Sequence, residues 1–373
     1  MPIDPDVFVE TTGQSWFSRI GGSIKGLLFG LILVPGACAL LFWNEGRAVQ
    51  TAQSLAEGAG LVLSVQRPDP ANEGRLVHVA APIRITTPPR DPELRADPPA
   101  GTLRLLRKVE MFQWKEEQES ETRTKLGGGT ETVTTYRYTR TWAEGRLDSS
   151  RFRQTEGHQN PPLRLQSRVF TAQGVTLAGF RLTEEQMQGL DADQPVSAPG
   201  ATEGVRYIGA DPASPRIGDL RISWQAAAPE AVSVIAAQAG QGFGAYQTRA
   251  GDRLLMVSAG QLPAAAMFRQ AEEGNALMTW IVRAVGALLV FVGFAMLMAP
   301  LKVLADVIPP LGAIVGAGTG LVAGVLTLLL GPLVIGIAWL FYRPLVGIAV
   351  LVAGAAAAYG LSRLRRRPVP RPA

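Results

Sequence analysis

The amino-acid sequence predicts an α+β membrane protein with four transmembrane helices, one N-terminal and three C-terminal. A large β-rich extramembrane domain is inserted between helices 1 and 2. Two observations indicate this class: long runs without a charged residue near both ends of the chain, and alternating polar and apolar residues between them. The 373 residues suffice for a sizeable core.

The positive charge of the chain is concentrated at its C-terminal end. The formal net charge is +5, and five arginines fall within the last eleven residues, directly after an apolar run. This placement is typical of the cytoplasmic end of a membrane helix, and no nucleic-acid-binding motif accompanies it. We therefore expect no nucleic acid among the partners. The five residues are Arg363, Arg365, Arg366, Arg367 and Arg371.

The first membrane helix is predicted at 26–43, eighteen residues without a charge. A cytoplasmic N-terminal segment, 1–25, precedes it, and Phe42 and Trp43 suit the headgroup region at its end. A cleaved signal peptide is the alternative interpretation of this run. Acidic residues in the preceding segment and the lack of a small-x-small cleavage site favour a retained anchor.

The remaining membrane helices are predicted near the C-terminus. The uncharged run that ends at Tyr342 is too long for one span of about twenty residues. Arg343 and Pro344 interrupt the apolar pattern and indicate a tight turn. The start of the third helix stays open, since 309–318 could be a loop, a half-inserted segment or an extended helix start. The predicted helices are 281–301, 311–342 and 345–361.

Four spans place both termini on the same side of the bilayer. The basic tail, 362–373, together with Arg19 and Lys25 before the first helix, predicts that this side is cytoplasmic. The region 44–280 is then a β-rich domain on the opposite side. That side is the periplasm if the chain sits in a bacterial inner membrane, or the lumen in a eukaryote.

Glycines recur at four-residue spacing in two of the predicted helices, which places them on one helical face. Such faces allow helices to approach closely, so packing within the chain or a homo-oligomer is expected. Other membrane proteins and the lipid bilayer are the further expected partners. The glycines are Gly26 and Gly30 in the first helix, and Gly312, Gly316, Gly320 and Gly324 in the third.

The clearest period-two alternation lies in Val109–Gln118 and Glu131–Trp142. Phe112 and Trp114 share one face of the first run, so the pattern predicts a β-hairpin with paired aromatic residues. Glu119–Thr130, with three consecutive glycines, is predicted as a long polar turn. Further predicted strands are Leu76–Ile85, Leu103–Leu106, Arg221–Trp224, Val232–Ala237 and Leu254–Ser258, and helical patches are predicted at Ala48–Glu57 and Pro263–Glu273.

One tetrapeptide occurs twice, 28 residues apart, as Asn44-Glu45-Gly46-Arg47 and Asn72-Glu73-Gly74-Arg75. The similarity does not continue beyond four residues, so it does not indicate a structural repeat. Asn and Gly favour turns, and we interpret both copies as turn sequences.

Catalytic patterns are sparse. The sequence contains no nucleophile elbow, zinc-protease helix or phosphate-binding loop, and it has two histidines and one cysteine. His78 lies in an apolar strand, where a packed or edge histidine is expected. His158 lies in a turn, where hydrogen bonding to the backbone is the expected role. Cys38 lies inside the first apolar run. We predict no catalytic residue, cofactor or metal.

A series of short motifs runs in order from the end of the first helix into the last. The motifs are Asn44–Ala48, Ser54–Gly58, Asn72–His78, Val109–Trp114, Gly157-His158 with Asn160-Pro161, Gly218–Arg221, Gly251-Asp252, Trp280 with Arg283-Ala284, and Trp339–Leu345. In this ordered series the chain resembles the transmembrane protein 43 family, also called LUMA.

The resemblance implies four spans, a large luminal domain and no established enzymatic activity or catalytic residue. Animal members of the family lie in the endoplasmic reticulum and inner nuclear membrane, where they are thought to organise membrane protein complexes with emerin and lamins. The Ala-, Arg-, Gly- and Pro-rich composition of this chain indicates a bacterial member. For such a member only the architecture and a general organising role transfer.

The leading hypothesis is a non-enzymatic integral membrane scaffold that organises membrane protein complexes or membrane structure as an oligomer. An oligomeric channel or transporter is the second hypothesis, although the predicted helices offer few polar groups beyond Thr319 and Thr327. A membrane-tethered enzyme is the third.

Overall fold

The computed structural model describes residues 6–96 and 98–365 as a mixed helical and sheet structure. The basic residues Arg366, Arg367 and Arg371 lie outside the described residues. The chain forms two compact units. A β-rich unit contains the residues up to Thr12, Ser54–Thr122 and Thr132–Ala271, and a helical unit contains Gly13–Gln53, Arg123–Glu131 and the residues from Glu272 onward.

Most of the helical residues belong to four long helices. Three of them, α1, α3 and α4, are long and apolar enough to cross a bilayer, whereas the apolar stretch recognised in α5 is the shorter 344–356. The helices are α1 (Trp16–Leu61), α2 (Glu184–Met187), α3 (Ala264–Ala305), α4 (Pro309–Tyr342) and α5 (Pro344–Arg365), with short 3-10 helices at Pro70–Asn72 and Ser149–Arg151.

Large apolar side chains cover the outside of the long helices. Ile32 on α1 is 73% exposed and Leu328 on α4 is 75% exposed. Apolar surface of this kind is unfavourable in contact with water and favourable in contact with lipid tails. Ala37 and Leu41 on α1 pack against Val290 on α3 in a small core. The arrangement is that of membrane helices, apolar both where they meet and where they face outward.

Two long helices extend well beyond the apolar runs. Helix α1 continues from the apolar run to Leu61, and α3 begins at Ala264, so both predicted helical patches merge into these helices. The interpretation of Asn44–Arg47 as a turn is therefore wrong, because the continuous hydrogen-bonded helix overrides the local turn preference of Asn and Gly. The segment 309–318 is helical and forms the start of α4, so the interpretation as an extended helix start is confirmed.

The β-rich unit contains most of two large sheets. One sheet has the order β1-β5-β4-β12-β11-β10, with β6 paired to β4 and β9 to β12. The other has the order β17-β13-β14-β8-β7-β3-β2, and β13 also pairs with β3; β15 and β16 form a small third sheet. The strands are β1 (Val7–Gln14), β2 (Leu63–Ser64), β3 (Leu76–Arg84), β4 (Arg104–Thr124), β5 (Thr130–Glu144), β6 (Arg168–Thr171), β7 (Thr176–Leu177), β8 (Phe180–Arg181), β9 (Gln194–Val196), β10 (Ala201–Thr202), β11 (Val205–Ile208), β12 (Leu220–Ala227), β13 (Ala231–Ala239), β14 (Gly242–Gly244), β15 (Tyr246–Gln247), β16 (Arg253–Leu254) and β17 (Met256–Ala259).

Each large sheet has its own apolar core. Val79, Phe180 and Val234 belong to the core of the second sheet, and each is at most 1% exposed. Met111 and Trp224 belong to the core of the first. The period-two pattern of the sequence therefore marks the inward face of both sheets.

The predicted hairpin is present, but its strands are longer than the sequence pattern indicated. Strand β4 runs to Thr124 and β5 begins at Thr130, so the long polar turn predicted at Glu119–Thr130 is wrong. Hydroxyl pairs across the strands hold this polar part together, at 2.9 Å for Thr122–Thr132. The turn itself uses Gly127 and Gly128, both at positive φ.

The N-terminal segment contains a strand that the sequence pattern did not reveal. Residues Val7–Gln14 form β1, which pairs with β5 at the edge of the first sheet. The backbone N–H of Tyr138 donates to the carbonyl of Asp6 at 2.8 Å just before this strand. The pairing partner is more than a hundred residues away in the sequence, so no local signal could identify it.

Candidate functional site

A buried polar cluster joins α1, α3 and α4 within the helical unit. We call it the junction cluster. Asn44 and Glu45 are 0% and 3% exposed, although they directly follow an apolar run. On α3 the contributing residues recur every four positions, which places them on one face. The junction cluster comprises Asn44, Glu45 and Arg47 of α1, Asn275, Thr279 and Arg283 of α3, and Trp339 of α4.

An ion pair between Glu45 and Arg283 forms the centre of the cluster. Arg283 Nε donates to Oε1 of Glu45 at 2.7 Å, and Nη2 donates to Oε2 at 2.8 Å. Trp339 Nε1 donates to the same Oε2 at 2.8 Å. The guanidinium also lies 4.7 Å above the Trp280 ring. A bidentate pair with this geometry fixes both side chains in one orientation.

Arg47 extends the cluster along the α1–α3 contact. Its Nη1 donates to Asn275 Oδ1 and its Nη2 to Thr279 Oγ1, both at 3.1 Å. Asn44 Nδ2 donates to the Thr279 carbonyl at 3.2 Å, and Asn275 Nδ2 donates to the Ala48 carbonyl at 3.0 Å. The two antiparallel helices are thus joined by side-chain hydrogen bonds in both directions, which fixes their register.

Gly46 allows α4 to approach α1 beside the ion pair. A Cβ atom at this position would lie 2.6 Å from the ring of Tyr342, so a larger residue would have to displace that ring. Helix α4 ends here, since Arg343 has non-helical backbone angles and its N–H donates to the Trp339 carbonyl at 2.7 Å. Pro344 then begins α5, which confirms the predicted turn at Arg343 and Pro344.

The junction cluster has the chemistry of a structural contact that holds helices together. Both oxygens of Glu45 already accept hydrogen bonds, and the hydroxyl of Thr279 donates to the Asn275 carbonyl at 2.7 Å. A carboxylate with its acceptor sites filled is poorly placed to take up a proton from a substrate. Separating this pair near the membrane would leave two uncompensated charges, so the helices stay together.

Two of the predicted packing glycines lie at the α1–α3 contact. A Cβ atom at Gly30 would lie 2.8 Å from the carbonyl oxygen of Gly293, so the helix backbones nearly touch there. Gly26 faces the end of the Met296 side chain at an ordinary distance of 3.7 Å. The first helix therefore uses its glycine spacing for packing within the chain.

The four glycines of α4 divide into two pairs. Gly312 packs directly against Asp306, and Gly316 against the methylene groups of Lys302. Gly320 and Gly324 have open space at their Cβ positions. Among the residues that the structure describes, cover of the glycine face of α4 is therefore found near the start of the helix.

The second tetrapeptide, Asn72-Glu73-Gly74-Arg75, forms a turn as predicted. Gly74 has a φ of 73°, and its N–H donates to the Gln238 carbonyl at 2.9 Å. The Glu73 carboxylate accepts from the Gly240 N–H at 3.0 Å, and Arg75 reaches the Asn72 side chain. This copy of the tetrapeptide connects the turn to the end of β13.

Both histidines are packed into the β-rich unit. His78 Nε2 lies 2.9 Å from the Leu262 carbonyl and Nδ1 lies 3.3 Å from Ser64 Oγ. His158 is 4% exposed, and its Nδ1 lies 3.2 Å from the Gln154 carbonyl. The predicted hydrogen bonding of His158 to the backbone is confirmed.

Aromatic rings enclose His158. Tyr138 stacks on it at 4.0 Å, and the edge of Trp114 approaches at 4.8 Å. Burial, together with the hydrogen bond that it donates to Glu116, raises the pKa of Tyr138 to about 12. Asn160 pairs with the backbone of Trp114 in both directions, at 2.8 and 2.9 Å. These contacts stabilise the sheet and leave little access for a substrate.

The sequence did not identify Asn275 and Thr279 as members of a site. The available signal was charge placement: Glu45 and Arg283 follow and precede apolar runs in helices that can lie antiparallel, which puts opposite charges at one membrane depth. Within the described part of the chain, no group of three or more His, Cys, Asp or Glu side chains could hold a metal ion.

The apolar helices and the buried junction cluster define an integral membrane protein with a large β-rich domain. The family model described as "Transmembrane protein 43" matches residues 111–344. Transmembrane protein 43 of Homo sapiens is 33% identical over 374 residues, which covers 94% of this chain and 92% of the relative. The Drosophila melanogaster homolog is 32% identical over 346 residues, with 88% and 92% covered. The chain belongs to the transmembrane protein 43 family. No solved structure matches it.

Proposed function

We propose that this protein is a non-enzymatic membrane scaffold that organises membrane protein complexes or membrane structure as a homo-oligomer. The junction cluster is the observation that carries the proposal. Its ion pair and indole hydrogen bond tie three helices into one rigid body, and its acceptor groups are occupied. A rigid group of membrane helices suits a role in assembly.

The proposed topology has four spans, with α5 as the fourth. Arg19 and Lys25, which precede the apolar part of α1, support a cytoplasmic location for this end of the helix. In a bacterial cell the protein would then lie in the inner membrane, with the β-rich domain in the periplasm.

The open part of the glycine face on α4 is the proposed contact between copies. Gly320 and Gly324 have space for a neighbouring helix, and small residues at four-residue spacing favour close helix association in lipid. Other membrane proteins could use the same face, and capture experiments distinguish them from a second copy.

Native mass spectrometry of the purified full-length protein in detergent tests this proposal. The test variants are Gly320→Leu and Gly324→Leu, which place a bulky side chain on the open face. The matched control is Gly318→Leu, because Gly318 also has open space but lies about half a turn away.

We expect a defined oligomer for the wild-type protein and the control, and a shift towards monomer for the two test variants. Cross-linking in native membranes before extraction checks that detergent has not separated the copies. A wild-type protein that is monomeric and without companions in both measurements would overturn the scaffold proposal.

A further inference from the structure

Strand β17 forms an open edge of the second sheet. Among the described strands it pairs with β13, and Gly260 continues this register by donating its N–H to the Ala231 carbonyl at 2.8 Å. Residues of antiparallel strands alternate in direction, so Ser258 also faces β13, whereas Val257 and Ala259 do not. The N–H and C=O groups of Val257 and Ala259 point away from the sheet. Within the described part of the chain these groups have no hydrogen-bond partner.

The edge of β17 carries no residue that would block the addition of another strand. Met256–Ala259 includes neither a charged residue nor a proline. Proteins usually protect a free edge with charges, proline or a covering segment, because the unpaired backbone groups can pair with another chain. The backbone of β17 is therefore able to accept a further strand.

A groove of about 460 Å³ runs along this edge. One wall is β17, and the opposite wall is the segment 189–194, which follows α2. A second cavity of about 460 Å³ continues the groove along β17 as far as Glu185 and Met267. All of these residues belong to the β-rich unit, so the groove is a feature of that unit by itself.

Hydrogen bonds from two side chains hold the wall opposite β17 in place. Arg104 Nη1 donates to the carbonyls of Gln188 and Leu190, at 2.6 and 2.7 Å. The buried side chain of Gln186 donates to the Phe243 carbonyl at 2.9 Å. A groove with fixed walls loses little conformational freedom when it binds a ligand.

The lining of the groove is acidic. It includes three exposed carboxylates and no lysine, arginine or histidine. Complementary charge favours a ligand with basic side chains. A second copy of the chain would bring the same carboxylates to the same edge, and this repulsion disfavours pairing between two β17 strands. The three residues are Glu185, Asp191 and Asp193.

We propose that β17 and this groove bind an extended, basic segment of a partner protein, which adds to the sheet as one further strand. The outward N–H and C=O groups of Val257 and Ala259 pair with the backbone of the segment, and the carboxylates of the groove bind its lysine or arginine side chains. The site does not depend on the contact between copies proposed for α4. It goes beyond the scaffold proposal by giving the chemistry of a partner.

Fluorescence anisotropy with the full-length protein in a non-ionic detergent tests the site. The probe is a labelled hexapeptide of alternating lysine and valine, since valine favours an extended backbone. Two matched peptides serve as controls. In one, glutamate replaces each lysine. The other carries N-methyl groups on its internal amides, which removes the backbone donors that pairing with β17 requires.

We expect the lysine peptide to bind saturably and to bind more weakly as the salt concentration rises. The glutamate peptide should show no binding, because its charge has the same sign as the groove. The N-methylated peptide should bind at least about tenfold more weakly than the lysine peptide, because it cannot donate hydrogen bonds to the edge. Equal affinities of these last two peptides would contradict strand addition.

Variants of the groove locate the site. Asp191→Asn combined with Asp193→Asn keeps the shape of the wall and removes two charges, so the affinity for the lysine peptide should fall at least about threefold. The matched control is Glu156→Gln, which neutralises an exposed carboxylate outside the groove and should bind like the wild type. Ala259→Pro removes an outward N–H while keeping the bonds to β13, and it should also weaken binding.

Two results would overturn the proposal when circular dichroism shows a folded protein. The first is a lack of binding of the lysine peptide, or equal binding by the double Asp→Asn variant. The second is a disulfide between two copies through Ala259→Cys, in a Cys38→Ala background, formed in place of peptide binding; it would identify a second copy as the occupant. An oligomer that stays intact in native mass spectrometry while the peptide fails to bind leaves the scaffold proposal standing.

Discussion

Replacing Glu45 by alanine is the sharpest test of the junction cluster. The Glu45 side chain is 4% exposed and accepts two hydrogen bonds from Arg283 and one from Trp339. Its removal leaves a guanidinium and an indole N–H without their acceptor. Breaking a buried ion pair in this way costs about 3–5 kcal/mol.

The partial exposure of Arg283 decides where in that range the effect falls. Its side chain keeps 17% of its surface accessible, so water can relieve part of the unpaired charge. We expect a loss of about 3 kcal/mol in the free energy of unfolding, which is about a hundredfold in the equilibrium constant.

The assay is reversible unfolding in mixed micelles, with the fraction of sodium dodecyl sulfate as denaturant. Tryptophan fluorescence reports the transition directly, because Trp280 and Trp339 lie 4.7 and 5.9 Å from the guanidinium of Arg283. Arg151→Ala serves as the control, since the Arg151 side chain is 86% exposed and pairs with Asp148 at the surface.

A double variant separates the loss of the pair from the loss of packing. Glu45→Met combined with Arg283→Met replaces both charges by apolar side chains, which is often neutral in buried sites. We expect it to recover most of the stability lost in Glu45→Ala. The reasoning is refuted if Glu45→Ala unfolds at the same denaturant fraction as the control variant.

Two further predictions concern packing and pH. Gly46→Ala should destabilise the protein by about 1–3 kcal/mol, because the new methyl group would meet the Tyr342 ring. Gly36 has open space around its Cβ position, so Gly36→Ala should keep the wild-type melting temperature. Equal melting temperatures for the two variants would contradict this. The hydrogen bond from Arg221 holds the pKa of Glu110 below its ordinary value of 4.5. The ionised carboxylate therefore stabilises the fold above pH 4.5, and this stabilisation is lost as the pH falls through the lowered pKa. In Glu110→Gln the melting temperature should therefore fall less steeply between about pH 6 and about pH 3 than it does in the wild-type protein. An acid limb of unchanged slope in the variant would argue against this pairing.

The sequence alone determined the membrane class and the hairpin. Long uncharged runs indicate membrane helices because each charged side chain in hydrocarbon is costly, and this cost depends on composition rather than on distant contacts. Phe112 and Trp142 lie 5.3 Å apart across β4 and β5, as their alternation predicted. The turn at Arg343 and Pro344 was likewise a local property of proline.

Element lengths depended on contacts that the local pattern does not contain. The polar end of β4 is a strand because Ser120 and Thr122 pair with Thr134 and Thr132 across the hairpin. Its charged sequence has no apolar alternation and is indistinguishable from a solvated turn. Asn44–Arg47 has turn composition but is helical, since the surrounding helix supplies its backbone hydrogen bonds.

The junction cluster was decided only by tertiary structure. Glu45 and Arg283 are separated by 238 positions, and Trp339 lies in a third helix. No spacing in the sequence therefore links the three residues. Their pairing follows from the antiparallel packing of α1 and α3, which brings opposite charges to the same depth. The sequence determined which segments are apolar, because that is a sum over single residues. The fold determined which polar residues meet, because that depends on how the helices are aligned.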